Sequence, residues 1–314
     1  MIYKNIFKAV SSLKSSTNFS RSYLIKDIIL SSFKYNISLE EYQLFNIYNI
    51  PMAKRLNILT KKDNKRLIKL NNDKTLIEIT KTRHKFNKKF YAFLNYKWLE
   101  LTGENITEFS KFIEDKEYIY AKYDLKAQND TKKIKIDTKN YTNVYNDLYL
   151  SKMNIIESVI KQEESIKRLN PDNLSFIRFI MFNNEIIASY LVTSKVNSEV
   201  IPANEIIASI NIDTGLIDSP GYDFDKNVYE EHPLTKEPIL WLPIPKWPRT
   251  KRLVTKIATT LMNDKYLSID IVVTNDGPSL KDISLFPNYQ EFQLLNILNH
   301  HDGLKNKFIK KEEN

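Results

Sequence analysis

Close to the C-terminal end, Tyr266-Leu-Ser-Ile-Asp270-Ile-Val-Val-Thr-Asn275-Asp-Gly277-Pro-Ser-Leu-Lys-Asp282-Ile-Ser284 sets two runs of strand-forming residues on either side of Asn-Asp-Gly. That is a strong short-range hairpin signal. A hairpin commits the chain to antiparallel pairing and fixes a register. With Asn275, Asp276 and Gly277 as a three-residue loop, Thr274 faces Pro278 and Asp270 faces Asp282. Facing residues share one sheet face with Cβ atoms about 5 Å apart, so two like charges repel there unless a cation lies between them. Mg²⁺ is such a cation, because it takes one or two carboxylates together with substrate phosphates. The alternative is a pair of solvated strand carboxylates in another register.

The rest of the pattern is helical first and strand-rich later. In residues 22–33, Leu24, Ile28, Ile29 and Phe33 give a helical face, and Ser38-Leu-Glu-Glu41 opens as a capping box. Pro51 ends that unit. Residues 55–80 read as short strands, at 55–60 and 75–80, or as a small mixed segment. Phe86, Phe90, Leu94 and Trp98 recur every four residues, the spacing of one buried stripe on a helix over 84–99. Beyond residue 106 a short helix precedes strands near 117–122, 133–137, 154–160, 174–182, 185–193 and 206–212. A long Pro-containing loop covers about 218–248, a helix 249–262, the hairpin follows, and a closing helix spans 289–299. The implied class is α+β with mainly antiparallel sheets behind a helical N-terminal region.

Composition excludes several chemistries. There is no cysteine, hence no disulfide, thiolate metal site or cysteine nucleophile. Only His84, His232, His300 and His301 offer imidazoles, so a zinc site of histidines alone is not expected. With five glycines and neither G-x-G-x-x-G nor G-x-x-x-x-G-K-[ST], glycine-rich phosphate cradles are absent. No apolar run approaches the ~18 residues of a membrane span. The first 30 residues are broken by Lys4, Lys8, Lys14, Arg21 and Lys26, unlike a signal peptide, which points to the cytoplasm. The net charge is +9, and residues 61–100 hold twelve Lys/Arg against four Asp/Glu. Interleaved with Phe90, Tyr91, Tyr96 and Trp98, those cations could form a nucleic-acid face; the four-residue recurrence instead favours a core helix with lysines on its wet sides.

A few residues stand out chemically. Lys122 ends an apolar strand, and Arg178 sits between Ile177 and Phe179. A charge so placed needs a partner. Triphosphate oxygens are one candidate, and a solvated strand face is the other. Glu157-Ser-Val159-Ile160 could present backbone groups to an adenine edge or be an ordinary strand end. His232, in the long loop, could orient a substrate or act as a base.

In order along the chain, Lys85-Phe-Asn-Lys-Lys-Phe90, Tyr120-Ala-Lys122, Ile155-Ile-Glu157-Ser-Val-Ile-Lys-Gln162, Asn170-Pro-Asp-Asn-Leu-Ser-Phe-Ile-Arg178, Glu231-His-Pro233 with Ile244-Pro-Lys-Trp247, and the hairpin through Pro287 resemble the ATP-grasp enzymes. Specifically, they resemble the sugar-transfer-associated group found in bacterial polysaccharide loci. The resemblance spans about residues 20–298. It implies the ATP-grasp fold, ATP and Mg²⁺ as cofactors, and an ATP-dependent carboxylate ligase acting on small-molecule carboxylate and nucleophile substrates, a glycan precursor among them. By this likeness Lys122 and Arg178 grip the phosphates and are catalytic. Glu157, Val159 and Ile160 hold the adenine. Asp270, Asp282 and Ser284 hold the metal, and His232 touches the second substrate. The implied organisation is a helical region at 1–54, an α/β subdomain with the basic helix at 55–115, a lid-like nucleotide-binding subdomain at 116–165, a C-terminal subdomain with the metal hairpin at 166–304, and a polar tail at 305–314.

The chain departs from the family at Asp282 (usually Glu), Ser284 (usually Asn), Ala127-Gln-Asn-Asp130 (a glycine-rich lid), Asn204-Glu205 (paired glycines) and Lys281 (apolar). A non-catalytic nucleotide- or glycan-binding protein of the same fold is the alternative these departures raise. Nucleic-acid binding through 61–100 is a weaker one.

Overall fold

Caps set the ends of the first helices. Helix α1 (Ile2–Ser16) is joined by a short connection to α2 (Arg21–Tyr35), where the Ser20 side chain accepts from the Tyr23 N–H and Asn36 closes the helix in the left-handed conformation. At the head of α3 (Leu39–Leu44), Ser38 and Glu41 exchange both bonds of the expected capping box. The protein is described here by a computed structural model covering residues 2–73, 75–128, 131–137, 139–197, 204–261 and 263–309.

The expected strands at 55–60 and 75–80 are not formed. A 3₁₀ turn, Met52–Asn57, leads to α4 (Lys61–Asn71) and α5 (Thr75–Thr80). Thr60 and Asp63 make a second capping box that starts α4, and a short apolar run such as that of α5 does not by itself distinguish strand from helix. The stripe over 84–99 is not one helix either. Helix α6 (Arg83–Lys89) buries Phe86 and, with its C-cap, Phe90. The chain then makes a 3₁₀ turn, Tyr91–Phe93, and enters strand β1 (Trp98–Glu100). Asn95 explains the departure. Its backbone N–H donates to Ser279 Oγ at 2.9 Å and its side-chain amide to the Pro278 carbonyl at 3.0 Å, so long-range bonds replace the helical ladder.

β1 pairs into a small antiparallel sheet with β2 (Tyr118–Lys122), β3 (Thr131–Lys135) and β4 (Ile155–Ser158), in the order β1-β4-β2-β3. This sheet therefore takes a strand from ahead of residue 116. Helices α7 (Ile106–Ile113) and α8 (Tyr141–Leu150) cover one face, where Phe109, Ile113, Tyr145 and Leu148 meet Ile119, Ala121 and Ile156. The period of two along a strand puts Trp98, Tyr120, Lys122 and Glu157 on the other face.

After the short α9 (Glu164–Lys167) comes the larger sheet: β5 (Phe176–Phe182), β6 (Glu185–Ser194), β7 (Glu205–Ser209), β8 (Gly221–Tyr222), β9 (Val228–Tyr229), β10 (Tyr266–Thr274) and β11 (Gly277–Ser284). Its order is β11-β10-β5-β6-β7-β8-β9, and its pairings are antiparallel. Helix α10 (Trp247–Thr259) precedes β10, and α11 (Tyr289–His300) and α12 (Lys305–Ile309) follow β11. On one face Phe176, Ile180, Tyr190 and Val272 pack with α2, α3 and α11. On the other Ile177, Phe179, Leu191 and Ile269 pack with Phe86, Phe90, Val254 and Ile257.

Residues 305–309 are not the start of a free polar tail. Phe308 is buried and meets Phe182, Tyr266 and Phe292 edge-on or tilted. Residues 310–314 lie outside the described part. Among the described residues no helix is long and apolar enough to cross a membrane.

Candidate functional site

The hairpin forms, with a different turn. Thr274 faces Gly277, leaving a two-residue loop of Asn275 and Asp276 in place of the expected three. Gly277 takes φ +141, outside the range that side chains readily adopt. The Thr274 hydroxyl donates to the Gly277 carbonyl at 2.8 Å. Alternation from that turn would set Lys281 opposite Asp270. A β-bulge between Asp270 and Ile271 shifts the register, so Asp270 nevertheless faces Asp282. The expected pairing is reached by compensation between a shorter turn and an extra residue. The bulge residue, Lys281, places its ammonium 4.1 Å from the centre of the Phe176 ring.

Asp270 is held from the neighbouring strand β5. Arg178 faces it in register and donates from Nε to Oδ1 and from Nη2 to Oδ2, both at 2.8 Å. This two-pronged geometry is the strongest form of carboxylate recognition. The third prong, Nη1, reaches Glu291 of α11 at 2.7 Å, and Tyr190 donates to the same Glu291 oxygen at 2.7 Å. Burial works against the Arg178 charge, but Asp270, Tyr190 and Glu291 outweigh it and keep the guanidinium protonated. Glu205, close by, has its carboxyl pushed up by burial and by the Glu291 and Asp270 charges.

Asp282 is gripped from the other side. Lys126, just beyond β2, donates to its Oδ1 at 2.6 Å while lying 3.6 Å from the centre of the Phe86 ring. Enclosure works to raise the Asp282 carboxyl, but Lys126 and then Lys281 hold it below the usual carboxylate range. Burial lowers the Lys126 ammonium, and Asp282 opposes that shift.

On the small sheet, Lys122 is ion-paired with the buried Glu157. Burial works to raise Glu157, but Lys122 and Arg83 more than offset it and leave it lowered. Tyr96 links the two sheets. Burial pushes its phenol up, and the Glu157 and Asp282 carboxylates add to the shift, so one side chain lies within Coulombic reach of both. Its hydroxyl donates to Asn87 Oδ1 at 3.2 Å, and the buried Asn87 side chain lies beside Glu157, where its amide helps to lower that carboxyl.

Thus Asp270 and Arg178 meet directly, Asp282 faces Asp270, and Lys122 with Glu157 stands across a shared polar zone. The remaining candidates differ. Val159 lines a cleft of about 1050 Å³ together with Tyr96, Trp98, Tyr118 and Ser158. Ile160 does not line that cleft and packs against the core that holds Phe176 and Val272. The Ser284 hydroxyl accepts from the Phe286 N–H at 3.1 Å. His232 is not brought to this zone. It is fully buried, Nε2 donates to the Ser194 carbonyl at 3.0 Å, and Nδ1 is unpartnered among the described residues. Of the lid segment, Asn129 and Asp130 lie outside the described residues.

Lys126, Tyr96 and Asn87 were not singled out by the sequence. Lys126 follows Lys122 by four residues but reads as part of a polar turn. Tyr96 and Asn87 are hidden within the basic aromatic run.

His232 carries a testable consequence. Burial lowers its pKa, and the Ser194 carbonyl only partly opposes this. The unfolded chain takes up the proton first, at about pH 6.5. The stability owed to the neutral ring is therefore fully present above that pH and declines as pH falls towards the folded pKa. Melting temperatures at about pH 7.5 and 5.5 should converge in His232→Asn relative to the parent; an unchanged difference would contradict this.

A family model described as sugar-transfer associated ATP-grasp matches residues 119–307. No curated protein matches the chain. Among solved structures, D-alanine–D-alanine ligase from Bacillus anthracis aligns at 13% identity over 80% of this chain and 77% of that one, with a TM-score of 0.46. D-cycloserine synthetase DcsG aligns at 11% over 80% and 77%, with a TM-score of 0.43. N5-carboxyaminoimidazole synthase from Aspergillus clavatus, in complex with ADP and 5-aminoimidazole ribonucleotide, aligns at 9% over 71% and 50%, with a TM-score of 0.43.

Proposed function

Because the chain belongs to the sugar-transfer associated ATP-grasp family, we propose that it is an ATP- and Mg²⁺-dependent ligase that activates a carboxylate as an acyl phosphate, in the cytoplasm and in the making of a surface-glycan precursor. Family membership supports ATP-dependent ligase activity; the metal, substrate and setting are our reading. The observation that carries it is the facing pair Asp270 and Asp282, each already matched to a cation.

In this reading residues 116–165, with β1, form the nucleotide-binding lid, and 166–304 form the C-terminal body. The adenine enters the aromatic cleft beside Val159 and Ile160, with Glu157 at its inner edge. Lys122 gives up Glu157 in part to reach the phosphates, and Lys126 does the same from Asp282. Arg178 is a positioning residue for Asp270 that also adds positive charge to the phosphate site. Two hard carboxylates on one sheet face fit a magnesium ion that arrives with phosphates, and among the described residues no cluster of three or more acids or histidines forms a protein-only cage. Asp270 and Asp282, with Ser284 in support, would hold that ion, which supplies charge neutralisation between the phosphates. A substrate carboxylate oxygen attacks the γ-phosphorus, the bond to the bridging oxygen breaks, and ADP leaves. An amine or other nucleophile then displaces phosphate from the acyl carbon. Positioning and electrostatics dominate such transfers, and Lys122 serves both. His232, buried as it is, supports the loop and is not assigned to substrate.

Calorimetric titration with ATP tests this. Magnesium should tighten binding, and Asp282→Asn should weaken the magnesium-dependent part by about 10–100-fold, the range seen even for groups one step removed from a metal. Binding indifferent to magnesium would overturn the metal assignment. The Lys126–Asp282 pair, which satisfies the carboxylate without any ion, favours a second reading as a non-catalytic nucleotide-binding protein. That reading predicts bound ATP that is never turned into ADP with any carboxylate supplied.

A further inference from the structure

Helix α2 is apolar on two sides. Its inner side buries Leu24, Asp27, Ile28, Ser31 and Tyr35. Its outer side carries Lys26, Ile29, Leu30, Phe33 and Lys34, which recur at i, i+3, i+4, i+7 and i+8 and so share one face. Ile29, Leu30 and Phe33 are all exposed, Phe33 by 86%. The connection to α1 is short enough to make the two helices antiparallel neighbours. Phe7, 59% exposed on α1, then stands about as far from the turn as Leu30. Large apolar side chains gathered on an outer surface mark an interaction site.

Charge selects the partner. Lys8 and Lys14 of α1 and Arg21, Lys26 and Lys34 of α2 are all exposed, and Lys26 and Lys34 belong to the stripe itself. The single acidic residue in α1 and α2 is Asp27, which is buried and paired with Arg55. A second copy of the chain fits poorly, because a two-fold interface would set this cationic patch against itself. An apolar stripe flanked by cations matches the boundary of a negatively charged bilayer, with the phenylalanines in the acyl region and the lysines at the headgroups. Neither helix is built to span, so the contact lies along the surface.

We propose that the α1–α2 hairpin is a peripheral docking surface for anionic lipid. The bilayer is the occupant, and the cleft and its carboxylates play no part in the contact.

Co-sedimentation of the full chain with vesicles tests it. Vesicles of phosphatidylcholine with phosphatidylglycerol should retain the protein at low salt, phosphatidylcholine alone should not, and added salt should release it. Phe7→Ser with Phe33→Ser should lower partitioning by about tenfold per phenylalanine while leaving the melting temperature unchanged, because both side chains face out. If that variant does not fold, Lys26→Glu with Lys34→Glu provides the same test through charge. Equal retention of parent and variants, or no retention on anionic vesicles at low salt, overturns the proposal. So does sedimentation equilibrium showing a dimer that Phe33→Ser dissolves, which would assign the patch to a second copy.

Discussion

Arg178→Met should lower the free energy of unfolding by about 3–5 kcal/mol, the cost of removing one partner from a buried ionic cluster. The guanidinium is the cation that separates Asp270 from Glu291, both of which are buried. Without it, two carboxylates and the Tyr190 hydroxyl share one enclosed space, with Glu205 close by. Nothing in the methionine side chain replaces the lost donors. Lowering the pH protonates Glu205, whose carboxyl is already pushed up by burial and by the Glu291 and Asp270 charges and loses the opposing Arg178 charge in the variant, and so relieves the repulsion. The deficit should therefore shrink between about pH 8 and pH 5, opposite in sign to the loss expected from His232. Urea denaturation at both pH values checks it; a deficit under about 1 kcal/mol at pH 8, or one that grows on acidification, would refute the cluster's role. The same variant should also loosen Asp270, so a magnesium effect on ATP binding that survives it intact would separate Asp270 from the metal.

Arg55→Met is the second large effect, again about 3–5 kcal/mol, and it lies far from the cleft. Arg55 and Asp27 are each 2% exposed. Nη1 reaches Asp27 Oδ1 at 2.6 Å and Ser31 Oγ at 2.9 Å, and Nε donates to the Ile50 carbonyl at 2.9 Å. Tyr42 donates to the other Asp27 oxygen at 2.6 Å. Arg55 thus ties the Met52–Asn57 turn to α2, and Asp27 joins both to α3 through Tyr42. Truncation leaves the buried Asp27 carboxyl with the Tyr42 phenol and without its cation, and the Ile50 carbonyl loses its Arg55 donor. Replacing both partners, Asp27→Leu with Arg55→Met, should recover most of the loss, since well-packed apolar groups can stand in for a buried ion pair. Chemical denaturation of the single and double variants reads this directly; a double variant no better than Arg55→Met would show that the ion pair is not the cause.

The hairpin and its facing aspartates were legible because local chemistry decides their geometry. Two strand-forming runs around Asn-Asp-Gly require a hairpin, and alternation limits which residues share its face. The capping box at Ser38 was readable because its partners are three residues apart. The lysine that ends β2 and the arginine inside β5 were visible as charges in apolar strands. Elsewhere local pattern misled. The alternation of 75–80 suits either a strand or a turn of helix, and the stripe from Phe86 to Trp98 breaks after Phe90 because Asn95 bonds to β11.

Antiparallel pairing, an α+β composition and a set of ionisable residues in apolar strands follow from the order of side chains alone, because backbone alternation and turn propensity act over a few residues. Which cation meets which carboxylate was settled only in three dimensions. Lys126 on Asp282, Arg178 on both Asp270 and Glu291, Tyr96 between two sheets, and His232 turned inward all depend on segments tens to more than a hundred residues apart. Electrostatic partners are chosen by distance in space and by desolvation, neither of which is written in sequence spacing.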